Sequence, residues 1–168
     1  MQSNPVYAEA VPILGATAPV WSEAVPPAAN PSSILLVERN EAGAREFLSG
    51  CKWPGGLQDT LVKNLTSIPY RVFICDDSGS MVASDGHRLL GNSPQEMVMV
   101  QCSRWGELAA SLQFHANLSL AANAPSQFRL LNGAPPIVIG NSSDPANREK
   151  YNTFLALLDS TPSGETPL

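Results

Sequence analysis

The chain has few charged residues, few basic ones in particular, and no long apolar run. Ten Lys and Arg stand against 15 Asp and Glu in 168 residues, which gives a net charge of −5. A nucleic-acid or anionic-membrane surface needs clustered Lys and Arg, so we expect neither partner. No stretch approaches the roughly 18 apolar residues of a membrane-spanning helix, and the N-terminus lacks a basic segment followed by an apolar one, the pattern of a signal peptide.

Cysteine is also scarce. Cys51, Cys75 and Cys102 are an odd and scattered trio, which is not a disulfide framework, and no two have CxxC spacing. A zinc site made of thiolates is therefore not expected. The pattern is typical of reduced thiols in an intracellular protein, and we expect a cytoplasmic location.

Three segments follow one another along the chain. Residues 1–33 carry six prolines and no Lys or Arg; proline blocks helices and strand ladders, so we expect a disordered or polyproline-like tail. Residues 34–69 read as a helical N-terminal extension. It opens with the short apolar run 34–37, which could be strand or packed coil, and then predicts a helix from Glu41 to about Ser49 and a second amphipathic helix ending near Thr66.

The third segment, residues 70–168, predicts an α/β architecture. The run from Tyr70 to Cys75 predicts a strand, and its residues Val72 to Cys75 are apolar without alternation, which favours a strand covered on both faces. The later predicted elements share clear boundary signals: a hairpin at 87–101, a helix at 104–123 capped by Ser103, two antiparallel strands at 126–132 and 136–140, and a helix started by Asp144-Pro145.

Oxygen-bearing side chains follow the predicted buried strand directly. Asp76, Ser78 and Ser80 form the pattern D-x-S-x-S, with one carboxylate and two hydroxyls at alternate positions. Ligands in open α/β sheets sit beyond the carboxyl ends of the strands, which is where this loop lies. Hard neutral oxygens with few carboxylates suit Mg²⁺ or Mn²⁺, and such an ion can take a further acidic ligand from a partner protein. The alternative interpretation is a polar turn, since these are turn residues.

These residues give the chain a resemblance to the von Willebrand factor type A domain family. The run DDSGSM at 76–81 looks like that family's metal-ion-dependent adhesion site, and the likeness extends to SRWGEL at 103–108 and GETPL at 164–168. The resemblance implies that Thr166 completes the site. It also implies a Rossmann-like sheet flanked by helices and a role in metal-bridged binding of another protein.

Two departures from the family pattern limit the resemblance. The family's site also uses an aspartate at the end of a later strand, and its sheet has further strands. Asp144 and Asp159 flank a helix, and Asp85 lies in an inserted loop, so none matches that position. The resemblance thus implies the amino-terminal half of such a domain, an incomplete site with weakened metal affinity, and an exposed sheet edge unless a partner or swapped copy covers it.

Two other classes of function remain open. A haloacid-type phosphotransferase would need an acidic residue where Ser78 stands, and the G-x-S-x-G elbow of serine hydrolases is absent, as is any phosphate-binding glycine loop. We interpret His87 as a loop residue and His115 as a packed helix residue, rather than either as a catalytic group. A non-functional or regulatory fragment without metal binding is the third class.

Overall fold

The computed structural model describes residues 37–91, 96–132 and 134–166, which form a mixed α/β structure. The predicted tail at 1–33 and residues 34–36 of the apolar run lie outside this part. In chain order, the elements are α1 (Glu41–Gly50), α2 (Gly55–Ser67), β1 (Arg71–Cys75), a 3₁₀ turn (Gly79–Val82), β2 (Gly86–Leu90), β3 (Val98–Cys102), α3 (Arg104–Ala121), β4 (Ser126–Leu130), β5 (Ile137–Ile139) and α4 (Asn147–Leu158).

Helices α1 and α2 are present where the sequence predicts two helices, and they pack against α3. Asn40 caps α1 because its Oδ1 accepts a hydrogen bond from the Gly43 N–H at 2.9 Å. The predicted turn at 53–56 supplies the first residues of α2, which begins directly after Pro54. The two helices bury a small core against the C-terminal part of α3; its members are Ala44, Leu48, Val62, Leu65, Leu118, Ala122 and Ala124.

The main sheet has the strand order β1-β4-β5 within the described residues. Strand β1 runs parallel to β4, with Phe73 opposite Phe128, and β4 runs antiparallel to β5, with Phe128 opposite Ile137. The prediction of two antiparallel strands after the long helix is confirmed. The parallel pair places the carboxyl ends of β1 and β4 at the same edge of the sheet.

The sheet is covered on one face only among the described residues. Phe73 and Phe128 point into the core, where Phe128 stacks between Phe73 and Phe154 with ring centroids 4.9 and 4.4 Å away. On the opposite face, Val72 is 51% and Ile74 67% exposed. The prediction that β1 is covered on both faces is therefore wrong for this part of the chain. The reason is that α3 and α4 both pack on the Phe73 side, and an apolar run does not reveal which of its faces finds a helix.

The predicted hairpin is present as β2 and β3, paired antiparallel with Leu90 opposite Val98. Its base packs against α3, where the His87 N–H donates to Glu107 Oε2 at 2.9 Å. The apolar side chains farther out on the hairpin are exposed: Leu89, Leu90, Met97, Val98 and Met99. The hairpin follows the 3₁₀ turn along the chain.

The two core helices begin with side-chain caps or turns near the predicted positions. Ser103 Oγ accepts from the Gly106 N–H at 3.0 Å and caps α3 as predicted. Helix α4 starts at Asn147, two residues later than the Asp144 cap with Pro145 as first helical residue predicts. Asp144 instead holds a preceding turn, accepting from the Ala146 N–H at 2.9 Å. Within the described ranges, none of the helices could span a lipid bilayer.

Candidate metal-ion site

The site is built at the point where β1 ends and its chain turns. Cys75 is the last residue of β1, and Asp76 follows at once. One carboxylate oxygen of Asp76, Oδ1, accepts a hydrogen bond from the Ser78 N–H at 2.8 Å, which closes an Asx turn. The turn fixes the carboxylate beside the backbone of Ser78. Gly79 then starts the 3₁₀ turn, which carries Ser80.

Three hydroxyl groups come together in this loop. Ser78 Oγ lies 3.0 Å from Ser80 Oγ, and Thr166 Oγ1 donates to Ser78 Oγ at 3.1 Å. Ser78 is buried, with 1% exposure, whereas Ser80 and Thr166 are exposed. The structure thus brings the three predicted hydroxyls into one cluster that has Ser78 at its floor and opens to solvent on its other side. Asp76 lies beside the cluster through its bond to the Ser78 backbone.

Backbone hydrogen bonds hold the Thr166 segment against the first loop. The Ser163 N–H donates to Asp77 O at 2.9 Å, and the Gly79 N–H donates to Gly164 O at 2.9 Å. Gly164 has φ of +97°, a conformation that favours glycine. The two bonds explain how Thr166 reaches Ser78 although it follows the whole of α4.

A buried carboxylate that the sequence argument did not assign ties in a third loop. Asp77 is 8% exposed, and its Oδ1 accepts from the Asn132 backbone N–H at 2.8 Å and from Asn132 Nδ2 at 3.2 Å. Asn132 follows β4, so this pair links the ends of the two parallel strands. The sequence contained a signal for this contact. Asp77 follows β1 and Asn132 follows β4, and the ends of two parallel strands meet at the same edge of a sheet.

The spacing of the hydroxyls fits a small hard cation. Neighbouring ligands of an octahedral Mg²⁺, bound at about 2.1 Å, lie about 3.0 Å apart. The Ser78–Ser80 and Ser78–Thr166 oxygen distances are 3.0 and 3.1 Å. The same oxygens can instead satisfy one another by hydrogen bonds. One carboxylate and three hydroxyls would hold the ion with little negative charge.

Cys75 does not add a thiolate to this set. Burial, and after it the negative charge of nearby Asp77, together raise the pKa of its thiol to about 11. The thiol therefore keeps its proton at neutral pH. The donors that face the loop are hard oxygens, which favours Mg²⁺ or Mn²⁺ over a soft metal.

Three other aspartates that the sequence offers lie outside this loop. Asp85 receives both Arg104 Nε and Nη2, at 2.7 and 2.6 Å, and these bonds lower its pKa. Asp144 is paired with Lys150 Nζ at 2.6 Å. Asp159 is the residue after α4. None of the three belongs to the hydroxyl cluster described above.

The histidines lie in two different elements. His87 is in β2 at the base of the hairpin, where it is exposed. His115 is in α3, and its ring lies 4.9 Å from that of Phe73 in the core. The structure thus gives His115 the packed position that the sequence predicts.

Comparison of the chain with protein-family models, with curated proteins and with solved structures finds no match. The candidate site therefore rests on its own geometry and on the motif.

Proposed function

We propose that this chain is a protein-binding module, similar to a von Willebrand factor type A domain, that binds a partner through a divalent cation. Asp76, Ser78, Ser80 and Thr166 would hold Mg²⁺ or Mn²⁺. The partner would donate an acidic side chain as a further ligand. No catalytic step is part of this function.

The observation that carries the proposal is the meeting of three hydroxyls from two distant segments. Ser78 and Ser80 come from the loop after β1, and Thr166 arrives 88 residues after Ser78 to donate to it. A polar turn, the alternative interpretation, needs only its own local residues. It gives no reason for a second segment to be held against the first by two backbone hydrogen bonds.

The charge of the cluster supports an acidic partner. A divalent ion held by the single carboxylate of Asp76 and by neutral hydroxyls keeps a net positive charge, which attracts an anionic ligand. Ser80 and Thr166 are exposed, so the open side of the cluster is accessible to a side chain from another protein. The low count of carboxylates also predicts weaker metal affinity than a site with several of them.

Titration with Mn²⁺, followed by electron paramagnetic resonance and calorimetry, tests the metal site. We expect one weakly bound Mn²⁺ per chain, which Mg²⁺ displaces. Ser78→Ala should abolish binding, whereas Ser84→Ala, the same change at an exposed serine outside the cluster, should leave it unaltered. Absence of Mn²⁺ binding in the unsubstituted chain, or equal binding by both variants, would contradict the metal site.

A pair of capped tripeptides, Gly-Asp-Gly and Gly-Asn-Gly, tests the acidic partner. We expect the Asp peptide to change the Mn²⁺ spectrum of the unsubstituted chain and the Asn peptide to leave it unchanged, since only the carboxylate is a strong ligand for the ion. Equal effects of both peptides would reject the carboxylate ligand while leaving the cation site in place. Phosphatase or esterase activity that Asp76→Asn removes would replace the binding function by catalysis.

A further inference from the structure

Strand β1 has one neighbour, β4, among the described residues, and its other edge faces away from the sheet. The Arg71 N–H donates to the carbonyl directly before β4, and Cys75 O accepts from the N–H directly after it. In a parallel pair, alternate residues of a strand turn both of their backbone groups toward the same neighbour. The backbone N–H and C=O groups of Val72 and Ile74 therefore point to the outer edge.

This edge lacks the features by which edge strands avoid pairing. Strand β1 contains no proline, and the side chains that it exposes on the uncovered face, those of Val72 and Ile74, are apolar. Both side chains are β-branched, which suits a strand with neighbours on each side. An exposed edge of this kind is a template for pairing with another strand.

The outer edge of β1 complements itself about its middle residue, Phe73. When two β1 strands pair antiparallel with this residue at the centre, Val72 of each copy lies opposite Ile74 of the other. Both residues turn their backbone groups outward, so each opposite pair exchanges two hydrogen bonds. The side chains of Val72 and Ile74 from both copies then meet on the same face of the sheet and cover one another.

The charges at the two ends of β1 also fit a second copy. The Arg39 guanidinium donates to Pro69 O, two residues before β1, and Asp76 follows the strand directly. In the antiparallel pair the start of each strand lies beside the end of the other, so Arg39 of one copy comes near Asp76 of the other. Opposite charges thus meet at both ends, which favours this orientation and register. A parallel pair would bring the two Arg39 side chains together instead.

We infer that two copies of the chain pair through their β1 edges, antiparallel about a two-fold axis at Phe73, to form one continuous sheet in the order β5-β4-β1-β1-β4-β5. The symmetry closes the assembly at a dimer, because the same edge serves both copies. The contact is small, so we expect a weak and reversible dimer. The inference does not depend on metal binding, and its test is carried out with a chelator present.

Sedimentation equilibrium of the full chain, from micromolar to millimolar concentration, tests the dimer. We expect a reversible equilibrium between monomer and dimer. Val72→Lys combined with Ile74→Lys places like charges directly opposite each other at the paired edges, and it should raise the dissociation constant by about tenfold or more. Both positions are exposed, so circular dichroism should show that the fold is retained.

Leu57→Lys combined with Leu89→Lys is the matched control, because it adds the same charge at two exposed apolar positions in α2 and β2. This variant should dimerise as the unsubstituted chain does. Three results would overturn the inference: a monomer at every concentration, a dimer that lysines at positions 72 and 74 do not weaken, or equal weakening by both variants. The second result would assign the dimer to another surface.

A cross-link measures the register of the pairing independently. Chains with Val72→Cys are mixed with chains with Ile74→Cys in the presence of oxidised glutathione, with Cys51 and Cys102 replaced by serine in both. Residues opposite each other in an antiparallel pair are close enough for a disulfide. We expect the mixture to form a disulfide between the two variants more readily than either variant forms one with itself. Equal yields from the mixture and from the single variants would overturn the inference.

Discussion

The hydroxyl of Thr166 donates a hydrogen bond to the hydroxyl of Ser78 at 3.1 Å, across 88 residues of sequence. The contact joins two segments that β4, β5 and α4 separate in sequence, and backbone hydrogen bonds from Ser163 to Asp77 and from Gly79 to Gly164 hold these segments together. The cluster of hydroxyls therefore forms only where the segment after α4 packs against the loop after β1.

Removal of the Thr166 hydroxyl should weaken the proposed cation site without weakening the fold. Thr166→Val keeps the shape of the side chain and removes one ligand oxygen. We expect Mn²⁺ affinity to fall by about tenfold or more, since loss of even a residue that only orients a metal ligand costs about that much. Because Thr166 is exposed, the free energy of unfolding should change by less than about 0.5 kcal/mol. Thr166→Ser should retain binding, and unchanged affinity in Thr166→Val would remove Thr166 from the site.

Loss of the contact between Asp77 and Asn132 should lower the free energy of unfolding, whereas Asp77 is not one of the proposed metal ligands. Asp77→Ala leaves the partly buried backbone N–H of Asn132 without its acceptor, which costs about 1–3 kcal/mol. Asp77→Asn keeps an acceptor oxygen in the same place and should cost less. Urea unfolding of both variants measures the difference. A larger loss for Asp77→Asn than for Asp77→Ala would show that the carboxylate is not held by this contact.

Two glycine substitutions should act in opposite directions. Gly140 has φ of +90°, and a Cβ there would lie 2.6 Å from Ser119 O and 2.7 Å from Ala124 O. Gly140→Ala should therefore destabilise the chain by roughly 1–3 kcal/mol or more. Gly56 lies in α2, where a Cβ would meet nothing within 4 Å, so Gly56→Ala should stabilise by about 0.5–1 kcal/mol. Thermal unfolding of the two variants side by side distinguishes these signs.

Because His115 is buried, we expect the folded chain to lose stability on mild acidification. Burial, and after it the positive charge of Arg71, lower the pKa of His115 from its ordinary 6.5. Below that pH the unfolded chain binds a proton that the folded chain does not, so the free energy of unfolding falls as pH decreases. Urea unfolding between about pH 7.5 and 5.5 should show this slope. His115→Phe should flatten it, and His87→Gln, at an exposed position, should not.

Much of the fold follows from local signals in the sequence. The caps at Asn40 and Ser103, the turn before α2 and the hairpin all use residues whose short-range chemistry determines the backbone nearby. The position of the D-x-S-x-S loop follows as well, because a strand ends directly before it. These features need no knowledge of distant packing.

Other features depend on contacts that a linear reading does not contain. The run at Val72 and Ile74 looks like the middle of a covered sheet, yet both helices after it pack on the opposite face. The later start of α4 reflects Asp144, whose carboxylate caps a turn and pairs with Lys150 instead of capping the helix. Asp77 reads as a turn residue until β4 brings Asn132 to the same edge. In each case the deciding partner is distant in sequence.

Helix α3 separates two regions that can change independently. Its C-terminal turns carry the small core shared with α1 and α2, whereas Trp105, Leu112 and Ala116 belong to the core beneath the sheet. The hydroxyl cluster lies beyond the carboxyl end of β1, while Arg39 anchors the helical pair near the beginning of that strand. Substitutions within α1 and α2 can therefore accumulate over evolution, or be engineered, while the loops of the hydroxyl cluster retain their shape.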